Sequence, residues 1–289
     1  MTVWNLGSIN EDIVYSVPHI PAPGETIAAR EKRHYLGGKG LNMSVAVARA
    51  GARAGHIGAV GPEGGWIVLR LTEWGVDTRF IAKTAAGTGH AIINVADDGE
   101  NAITIWPGAN AAVPLEKVQE ALSGARTGDW FVTQNETNLQ AEAAQMARDM
   151  GLKVAYAAAP FSAEATRAVL PFADLLVLNA VEAEALREAT GQDLHDLGVK
   201  DIVVTLGGDG CNWISGAEET HFDAVPVTPV DTTGAGDTFT GFLLAGLDRG
   251  QPIAQAIGLA MRAGALMVTR HGTADVIPDL SEVQAIRSK

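Results

Sequence analysis

Residues 231–239, with the sequence DTTGAGDTF, combine small residues and carboxylates in a pattern that suits chemistry on an anion. Gly234, Ala235 and Gly236 directly precede an apolar helical pattern, and they leave the backbone N–H groups of the helix start uncovered. Such N–H groups and the helix dipole together favour binding of a phosphate. Asp237 can take a proton from an attacking hydroxyl, although a lone Asp here can also simply cap the helix. The segment therefore favours phosphoryl transfer with Asp237 as the base.

A second glycine-rich segment, residues 36–48, opens another apolar helical pattern. Lys39 and Asn42 are three positions apart, so they lie on neighbouring turns at the helix start. Both offer hydrogen-bond donors to a polyhydroxylated ligand, and the alternative is a solvated lysine beside an asparagine that bonds to local backbone. The chain contains neither the P-loop pattern G-x-x-x-x-G-K-[ST] nor the dinucleotide pattern G-x-G-x-x-G.

Three further turns follow apolar strand patterns. Asn10 and Asp12 come after the first pattern and can bracket vicinal hydroxyls, or they only form a turn. Asn179 and Glu182 have the spacing of a capping box, and the alternative is indirect support of Mg²⁺ and phosphate. Residues 205–210 form either a plain hairpin turn or a glycine loop along a nucleotide.

These turns need a scaffold, and the hydrophobic pattern predicts one. Short apolar runs alternate with amphipathic stretches, which indicates βαβ units and a mostly parallel sheet covered on both faces by helices. Ligands of such sheets bind beyond the carboxyl ends of the strands. Predicted strands are 3–7, 55–60, 129–133, 152–157, 174–178 and 201–205, and predicted helices are 40–50, 63–74, 114–124, 138–150, 181–190, 234–248 and 252–269.

Two regions break this alternation. Residues 12–35 contain three prolines, and residues 88–107 read as two strands, 90–96 and 102–106, joined by a turn. They either pair into a small sheet beside the main domain or form ordinary edge hairpins, and periodicity leaves both open.

Composition excludes several classes of protein. The chain has 289 residues with 34 acidic and 21 basic side chains, a formal net charge of −13, which argues against a general nucleic-acid binder or a polybasic membrane-surface protein. The single cysteine, Cys211, cannot form an internal disulfide, and the start of the chain does not resemble a signal peptide. No apolar run is long enough to span a bilayer. From charge, cysteine content and hydropathy together we expect a cytoplasmic protein without nucleic-acid or membrane partners.

Together these segments resemble the ribokinase-like (PfkB) carbohydrate kinase family over nearly the whole chain. Residues 231–239 resemble its C-terminal signature and residues 37–50 its N-terminal signature. Residues 7–10, 23–26 and 108–110 resemble the ribokinases in particular. The resemblance implies one Rossmann-like α/β domain over residues 1–289, with a small β lid formed by about 12–35 and 88–107. It also implies a homodimer that pairs through the lid.

The same resemblance implies an ATP-dependent sugar kinase that uses Mg²⁺ and K⁺. D-ribose, giving ribose 5-phosphate, is the expected substrate; the alternatives are another sugar such as a ketohexose or ketodeoxygluconate, a nucleoside, or a non-catalytic sugar sensor. Asp237 would be the base, with Gly234, Ala235 and Gly236 as the anion hole. The sugar would be held by Asn10, Asp12, Gly38, Lys39, Asn42 and Glu136. The nucleotide would lie along Asn179, Thr205, Gly207, Gly208, Gly210 and Gly236. Glu182 would support Mg²⁺ indirectly, and K⁺ would bind Asp231, Thr233 and carbonyls of Met267, Arg270 and Gly272.

Four residues depart from the family pattern or extend it. Ala157 stands where ribokinases usually have a polar side chain, and Met261 stands where Asn or His is frequent near the adenine. Val276 replaces a small polar residue beside the cation site. His90, in the lid region, is expected to reach the sugar.

Overall fold

The computed structural model describes residues 1–286, so the last three residues of the expected domain lie outside it. The strands are β1 (Thr2–Leu6), β2 (Asn10–Val17), β3 (Glu31–Gly37), β4 (Arg53–Val60), β5 (Val76–Lys83), β6 (Gly89–Ala96), β7 (Asn101–Trp106), β8 (Trp130–Thr133), β9 (Lys153–Ala157), β10 (Leu175–Asn179), β11 (Asp201–Thr205), β12 (Cys211–Ser215) and β13 (Glu218–Phe222). The helices are α1 (Lys39–Arg49), α2 (Gly65–Glu73), α3 (Leu115–Ser123), α4 (Gln140–Asp149), α5 (Ala163–Val169), α6 (Ala180–Thr190), α7 (Ala235–Asp248), α8 (Ile253–Met267) and α9 (Leu280–Ala285).

Nine strands form the main sheet in the order β13-β12-β11-β10-β9-β8-β1-β4-β5. From β11 through β10, β9, β8, β1 and β4 to β5, neighbouring strands of this sheet pair in parallel. Strands β12 and β13, at one edge, pair antiparallel. Buried side chains of α1, α2, α7 and α8 pack on one face, and those of α3, α4 and α6 pack on the other. The predicted α/β sandwich is therefore confirmed, and the carboxyl ends of its parallel strands meet at one edge.

Every predicted strand and helix of the main domain is present with shifts of a few residues. The elements missed are short or lack a clean pattern. Strand β5 has three consecutive polar residues at 77–79 and only a three-residue apolar run at 80–82, and α5 and α9 span seven and six residues. None of the helices in the described part of the chain is long and apolar enough to cross a membrane.

A separate four-stranded sheet, in the order β3-β2-β6-β7, contains the two regions that broke the alternation. Strands β2 and β6 are parallel, and each forms an antiparallel pair with its outer neighbour. The small sheet, rather than a pair of isolated hairpins, is therefore the observed arrangement. Because successive side chains of a strand point to opposite faces, Asn10 and Asp12 share one face, and the opposite face carries Glu11 with its register partner His90.

Glycines let the two helices that flank the site approach very closely. A Cβ on Gly40 would lie 2.3 Å from the Cα of Gly7, so the start of α1 packs directly on the loop after β1. A Cβ on Gly241 would lie 2.4 Å from the Cβ of Ala46, so α7 packs on α1 with almost no space between them. Helix α1 is thus packed tightly between the loop after β1 and α7.

We predict that Gly241→Ala lowers the free energy of unfolding by about 1–3 kcal/mol, because the new methyl group overpacks the contact between α1 and α7. Differential scanning calorimetry measures this loss.

The matched control is Gly258→Ala in α8, where an added Cβ would meet only Arg262 Nη1, at 3.7 Å. This change removes backbone freedom from the unfolded chain and should raise stability by about 0.4–1 kcal/mol. Equal effects of the two alanines would contradict the packing argument.

Candidate functional site

The sequence-predicted residues gather at the carboxyl edge of the main sheet. They lie at the starts of α1 and α7, in the loop after β8, at the ends of β10 and β11, and on the adjoining strand β2 of the small sheet. Edge loops of a parallel sheet are the usual place for a ligand, and here the small sheet forms a second wall beside it.

The first turn of α7 is bare. Gly234 is the N-cap residue in the left-handed conformation, with φ +74°, and it provides no side-chain cap. A Cβ on Gly236 would meet no atom within 4 Å, so the turn is open at this residue, while the N–H of Ala235 donates to the Thr232 carbonyl oxygen at 3.3 Å. This is the geometry of an anion site at a helix N-terminus.

Asp237 is bonded to another helix and not to the start of its own. Its Oδ2 accepts a hydrogen bond from Asn42 Nδ2 at 2.9 Å, and the residue is only 8 % exposed. The capping alternative for Asp237 is therefore wrong: the side chain joins α7 to α1.

Charges around Asp237 set its proton affinity. Burial raises the pKa of Asp237, the nearby ammonium of Lys39 and the amide of Asn42 lower it, and the carboxylates of Glu136 and Glu182 raise it further. Asp237 in turn raises the pKa of Lys39. Lys39 is thus a cation held among carboxylates, and it opposes the rise in the pKa of Asp237 that burial causes.

Glu136 holds the start of α1 in place. Its Oε2 accepts hydrogen bonds from the Ser8 hydroxyl and from the backbone N–H of Lys39, the latter at 3.1 Å. The Ser8 hydroxyl also accepts from Gly40 N at 3.3 Å. Glu136 therefore has a structural role as well as a place in the site. For Ser8, no role is predicted from the sequence.

Asn10 is oriented by a residue to which the sequence analysis assigned no role. Asn110 Nδ2 donates to Asn10 Oδ1 at 2.8 Å, and Asn110 also bonds both backbone groups of Ile9, at 2.9 and 3.2 Å. In the sequence, the motif Gly108-Ala109-Asn110 indicates only the family resemblance and no contact with Asn10. Because Asn110 lies one hundred residues away in sequence, spacing alone does not connect it with Asn10.

Asp12 lies against the backbone of Gly37, where a Cβ would come within 2.0 Å of its Oδ2. Burial, and then the charges of Glu136 and Asp237, raise the pKa of Asp12 to about 7. At neutral pH this carboxyl is divided between its two protonation states, so it can donate to one hydroxyl or accept from another.

Asn179 and Thr205 are register partners at the ends of β10 and β11. The capping box is present: Glu182 N donates to Asn179 Oδ1 and Asn179 N donates to Glu182 Oε2, both at 2.8 Å. Burial raises the pKa of Glu182, and Lys39 lowers it, so this carboxylate also belongs to the charged cluster.

The glycine turn after β11 is a hairpin to β12, as one of the two alternatives predicted. Gly210 is required by packing, because a Cβ there would lie 2.0 Å from the carbonyl oxygen of Phe222. Gly207 has φ +60°, which favours glycine, whereas a Cβ on Gly208 would meet nothing within 4 Å. Only Gly208 lacks a structural reason, and it leaves the backbone open at the edge of the site.

The residues expected at a K⁺ site form a bridge between two loops. Asp231 accepts from the backbone N–H of Thr233 at 2.9 Å and of Gly272 at 3.2 Å. The Met267 carbonyl accepts from Arg270 N at 3.1 Å, and its oxygen has a second lone pair. One carboxylate and several carbonyls are hard oxygen donors, so the chemistry fits a monovalent cation.

Within residues 1–286 no group of three or more His, Cys, Asp or Glu side chains is arranged to hold a metal by itself. Mg²⁺ commonly keeps several waters and binds through one or two carboxylates and the phosphates of a nucleotide. The single carboxylate of Glu182 fits that indirect role.

The four departures have distinct surroundings. Ala157 is buried at the end of β9, and Met261 Sδ lies 3.7 Å from Sγ of Cys211, whose pKa burial raises to about 12. Val276 packs against Gly272, since a Cβ there would lie 3.4 Å from Val276 Cγ1. His90 lies on the face of the small sheet opposite Asn10 and Asp12, and its ring packs at a tilt of 49° against Trp106, with the ring centroids 5.2 Å apart, so the expectation that it reaches the sugar is wrong.

The chain is similar to known proteins over almost its full length. Residues 3–280 match the pfkB family carbohydrate kinases. A ribokinase from Staphylococcus aureus (strain COL) is 33% identical over 298 residues, which cover 97% of this chain and 98% of that protein. The crystal structure of a Cryptococcus neoformans ribokinase in complex with ADP superposes with a TM-score of 0.87 at 29% identity, covering 98% of this chain and 99% of the other. An Arabidopsis thaliana ribokinase complexed with ribose and ATP gives a TM-score of 0.85 at 27% identity, with 98% and 97% coverage. The chain therefore belongs to the pfkB family of carbohydrate kinases and is a phosphotransferase that acts on a sugar.

Proposed function

We propose that this kinase transfers the γ-phosphoryl group of ATP to the primary hydroxyl of D-ribose and produces ribose 5-phosphate. The observation that carries the proposal is the buried carboxylate of Asp237 beside the bare first turn of α7. The names of the relatives, ribokinases with ribose, ATP or ADP bound, support the choice of substrates. An unphosphorylated sugar is favoured because the residues expected around it include a single cation, Lys39.

In this mechanism Asp237 accepts the proton of the sugar hydroxyl as the hydroxyl oxygen attacks the γ-phosphorus, and the bond from this phosphorus to the β,γ-bridging oxygen breaks, so that ADP leaves. The N–H groups of Gly234, Ala235 and Gly236 donate to the oxygens of the transferring phosphoryl group, where negative charge develops, and the Ala235 N–H is shared with the Thr232 carbonyl oxygen at 3.3 Å. The hydrogen bond from Asn42 holds the carboxylate in one orientation and leaves Asp237 Oδ1 free for the hydroxyl. Lys39 lowers the pKa of Asp237 and so favours the ionised form, which is the form that accepts the proton.

The sugar end of the site discriminates between ligands through paired polar groups. Asn10 and Asp12 project from the same face of β2, and Asn110 fixes the amide of Asn10. Together with Gly38, Lys39, Asn42 and Glu136, they surround the space in front of Asp237. A buried polar group left without its hydroxyl partner costs binding energy, so a sugar that lacks one of these hydroxyls is bound less well.

The nucleotide end lies along Asn179, Thr205 and the glycine turn 207–210. Mg²⁺ would be held indirectly through Glu182, and when bound it offsets the charge of the phosphates. K⁺ would be held at Asp231 and Thr233 with the carbonyls of Met267, Arg270 and Gly272. The one free thiol, Cys211, is buried, which agrees with our proposal of a reducing, cytoplasmic compartment.

The small sheet is proposed to act as the lid of a single α/β domain. Its strands lie within residues 10–37 and 89–106, close to the lid ranges expected from the family. Closure over the sugar would exclude water from the phosphoryl group and so limit ATP hydrolysis.

Screening ADP release across pentoses, hexoses and nucleosides, with and without K⁺, tests this function. We expect the highest kcat/KM with D-ribose and an increase on adding K⁺. Asp237→Asn should lower kcat by about 10²–10⁴-fold, because the placed base is lost.

The matched control is Asp248→Asn, a residue of equal exposure, 8 %, at the other end of α7. It should keep kcat. Full activity of Asp237→Asn would overturn the mechanism, and a nucleoside or hexose as best substrate would overturn the choice of ribose. Sugar binding without any ADP release would indicate a sensor.

Lys39→Met should move the acid limb of the kcat profile to higher pH. Lys39 lowers the pKa of Asp237, so its removal raises that pKa, and a base with a raised pKa loses its proton only at higher pH. Lys39→Arg keeps the charge and should leave the limb closer to its original position. A shift to lower pH in Lys39→Met would contradict the assignment of Asp237 as the base.

We also propose a homodimer that pairs through the lids. Ile103 and Ile105 are 54 % and 58 % exposed on β7, and strand register places them on the same face of the small sheet as Asp12. An exposed apolar sheet face of this kind is typical of an interaction surface.

Sedimentation of the purified protein should therefore give a dimer, and the double variant Ile103→Lys with Ile105→Lys should give a monomer. Leu69→Lys, at a similarly exposed position (62 %) on α2, should leave the dimer intact. A monomeric wild-type protein, or a dimer that the double variant preserves, would refute the interface.

A further inference from the structure

A buried polar network lies directly beneath the sugar end of the site. It consists of Asn5, Ser44, His56 and Gln134, and each of these residues is at most 1 % exposed. Gln134 Nε2 donates to Asn5 Oδ1 at 2.9 Å, and Asn5 Nδ2 donates to Ser44 Oγ at 2.9 Å and to the Gly40 carbonyl at 2.7 Å. The network therefore joins β1, β4, α1 and the loop after β8 at the point where their ends meet.

The hydrogen bonds around His56 have only one consistent arrangement. Its Nε2 faces the Gly7 carbonyl oxygen at 3.2 Å, and this oxygen can only accept, so Nε2 carries the proton. Burial lowers the pKa of His56 to about 4, so the ring is neutral at physiological pH and Nδ1 is an acceptor. The Ser44 hydroxyl therefore donates to Nδ1 at 2.8 Å, while its oxygen accepts from Asn5.

Each side of His56 leads to a different part of the site. On the Nε2 side, Gly7 precedes Ser8, whose hydroxyl donates to Glu136 and whose carbonyl accepts from Leu41 N at 2.9 Å. On the Nδ1 side, Ser44 belongs to α1, which carries Asn42 and its bond to Asp237. The imidazole thus connects the loop after β1 with α1, at the place where Gly7 and Gly40 are almost in contact.

We propose that His56 is a positioning residue for phosphoryl transfer: through Gly7 and Ser44 it holds the loop after β1 and the start of α1 in the one arrangement that aligns the sugar with Asp237. The proposal rests on the function proposed above. It assigns His56 no contact with substrate, since a fully buried ring bonded at both nitrogens has no free group to offer.

The contacts of this network also predict which kinetic constants should change when the network is loosened. Within residues 1–286 the bonds of the network link β1, the loop after β1, β4, α1 and the loop after β8, and these segments carry the sugar residues Lys39, Asn42 and Glu136. The nucleotide residues Asn179 and Thr205 lie on β10 and β11, four and five strands from β4 in the sheet. Loosening the network should therefore weaken sugar binding and catalysis and leave ATP binding unaltered.

The experiment compares the kinetics of Ser44→Ala and of His56→Asn with wild type in the full-length protein. Asn at position 56 offers an acceptor near the former Nδ1 and loses the donor to Gly7, whereas Ser44→Ala removes the link to α1. Each variant should lower kcat over sugar KM by about tenfold or more, because small misplacements of reacting groups are costly, with KM for ATP changed less than about twofold. His56→Gln, whose amide can still reach Gly7 as a donor, should recover part of the loss seen in His56→Asn.

The control for lost stability is Asp129→Asn, at the opposite ends of β1 and β8. Asp129 is also buried and accepts from Thr2 N at 3.0 Å and Trp4 Nε1 at 3.2 Å, so the variant breaks a comparable network far from the site. It should lower the melting temperature and keep the kinetic constants.

Unchanged kcat and sugar KM in both Ser44→Ala and His56→Asn would overturn the proposal, as would equal kinetic losses in Asp129→Asn. If His56→Asn does not fold, Ser44→Ala decides, since it only removes one oxygen. A wild-type protein without sugar kinase activity would instead refute the proposed function, so the two failures are distinguishable.

Discussion

The hydrogen bond between Asn42 and Asp237 is the contact on which the site depends. It joins the first turns of α1 and α7, which are 195 residues apart in sequence, and it fixes a buried carboxylate beside uncovered backbone N–H groups. A buried carboxylate is costly unless it is hydrogen-bonded and near a cation. Asn42 and Lys39 supply both from the same helix start. Any element that moves α1 therefore changes both the orientation and the proton affinity of Asp237.

Glycine makes this arrangement sterically possible. Helix α1 has the loop after β1 on one side and α7 on the other, and a side chain at Gly40 or Gly241 would push it away from either neighbour. The close approach places Ser8 and Glu136 within hydrogen-bond distance of the backbone N–H groups at the start of α1. Close packing and polar satisfaction thus act on the same helix end, which gives the site a rigid base on one side while the small sheet forms the other wall.

The sequence was sufficient for the βαβ alternation, the bare turn at 234–236 and the pairing of residues 90–96 with 102–106, since all three follow from local pattern. It did not reveal Asn110, because the bond to Asn10 crosses one hundred residues, nor the network around His56, since a lone histidine in an apolar strand has no informative spacing. His90 was misassigned because its face depends on the register of β2 with β6. Local chemistry was therefore predictable, and contacts between distant elements were not.

The negative charge of the site affects both the binding of phosphate and the removal of a proton. Glu136 and Asp237 raise the pKa of Asp12, Glu136 and Glu182 raise the pKa of Asp237, and Lys39 is the cation among these carboxylates. Such a cluster repels a nucleoside triphosphate, so in the proposed mechanism the binding of its phosphates depends on backbone N–H groups and on the cation expected to accompany ATP. In the proposed mechanism the excess of carboxylates has a use: Glu136 and Glu182 raise the pKa of Asp237 and so make it a stronger base toward the sugar hydroxyl. The same negative field that opposes binding of the phosphates thus favours removal of the proton.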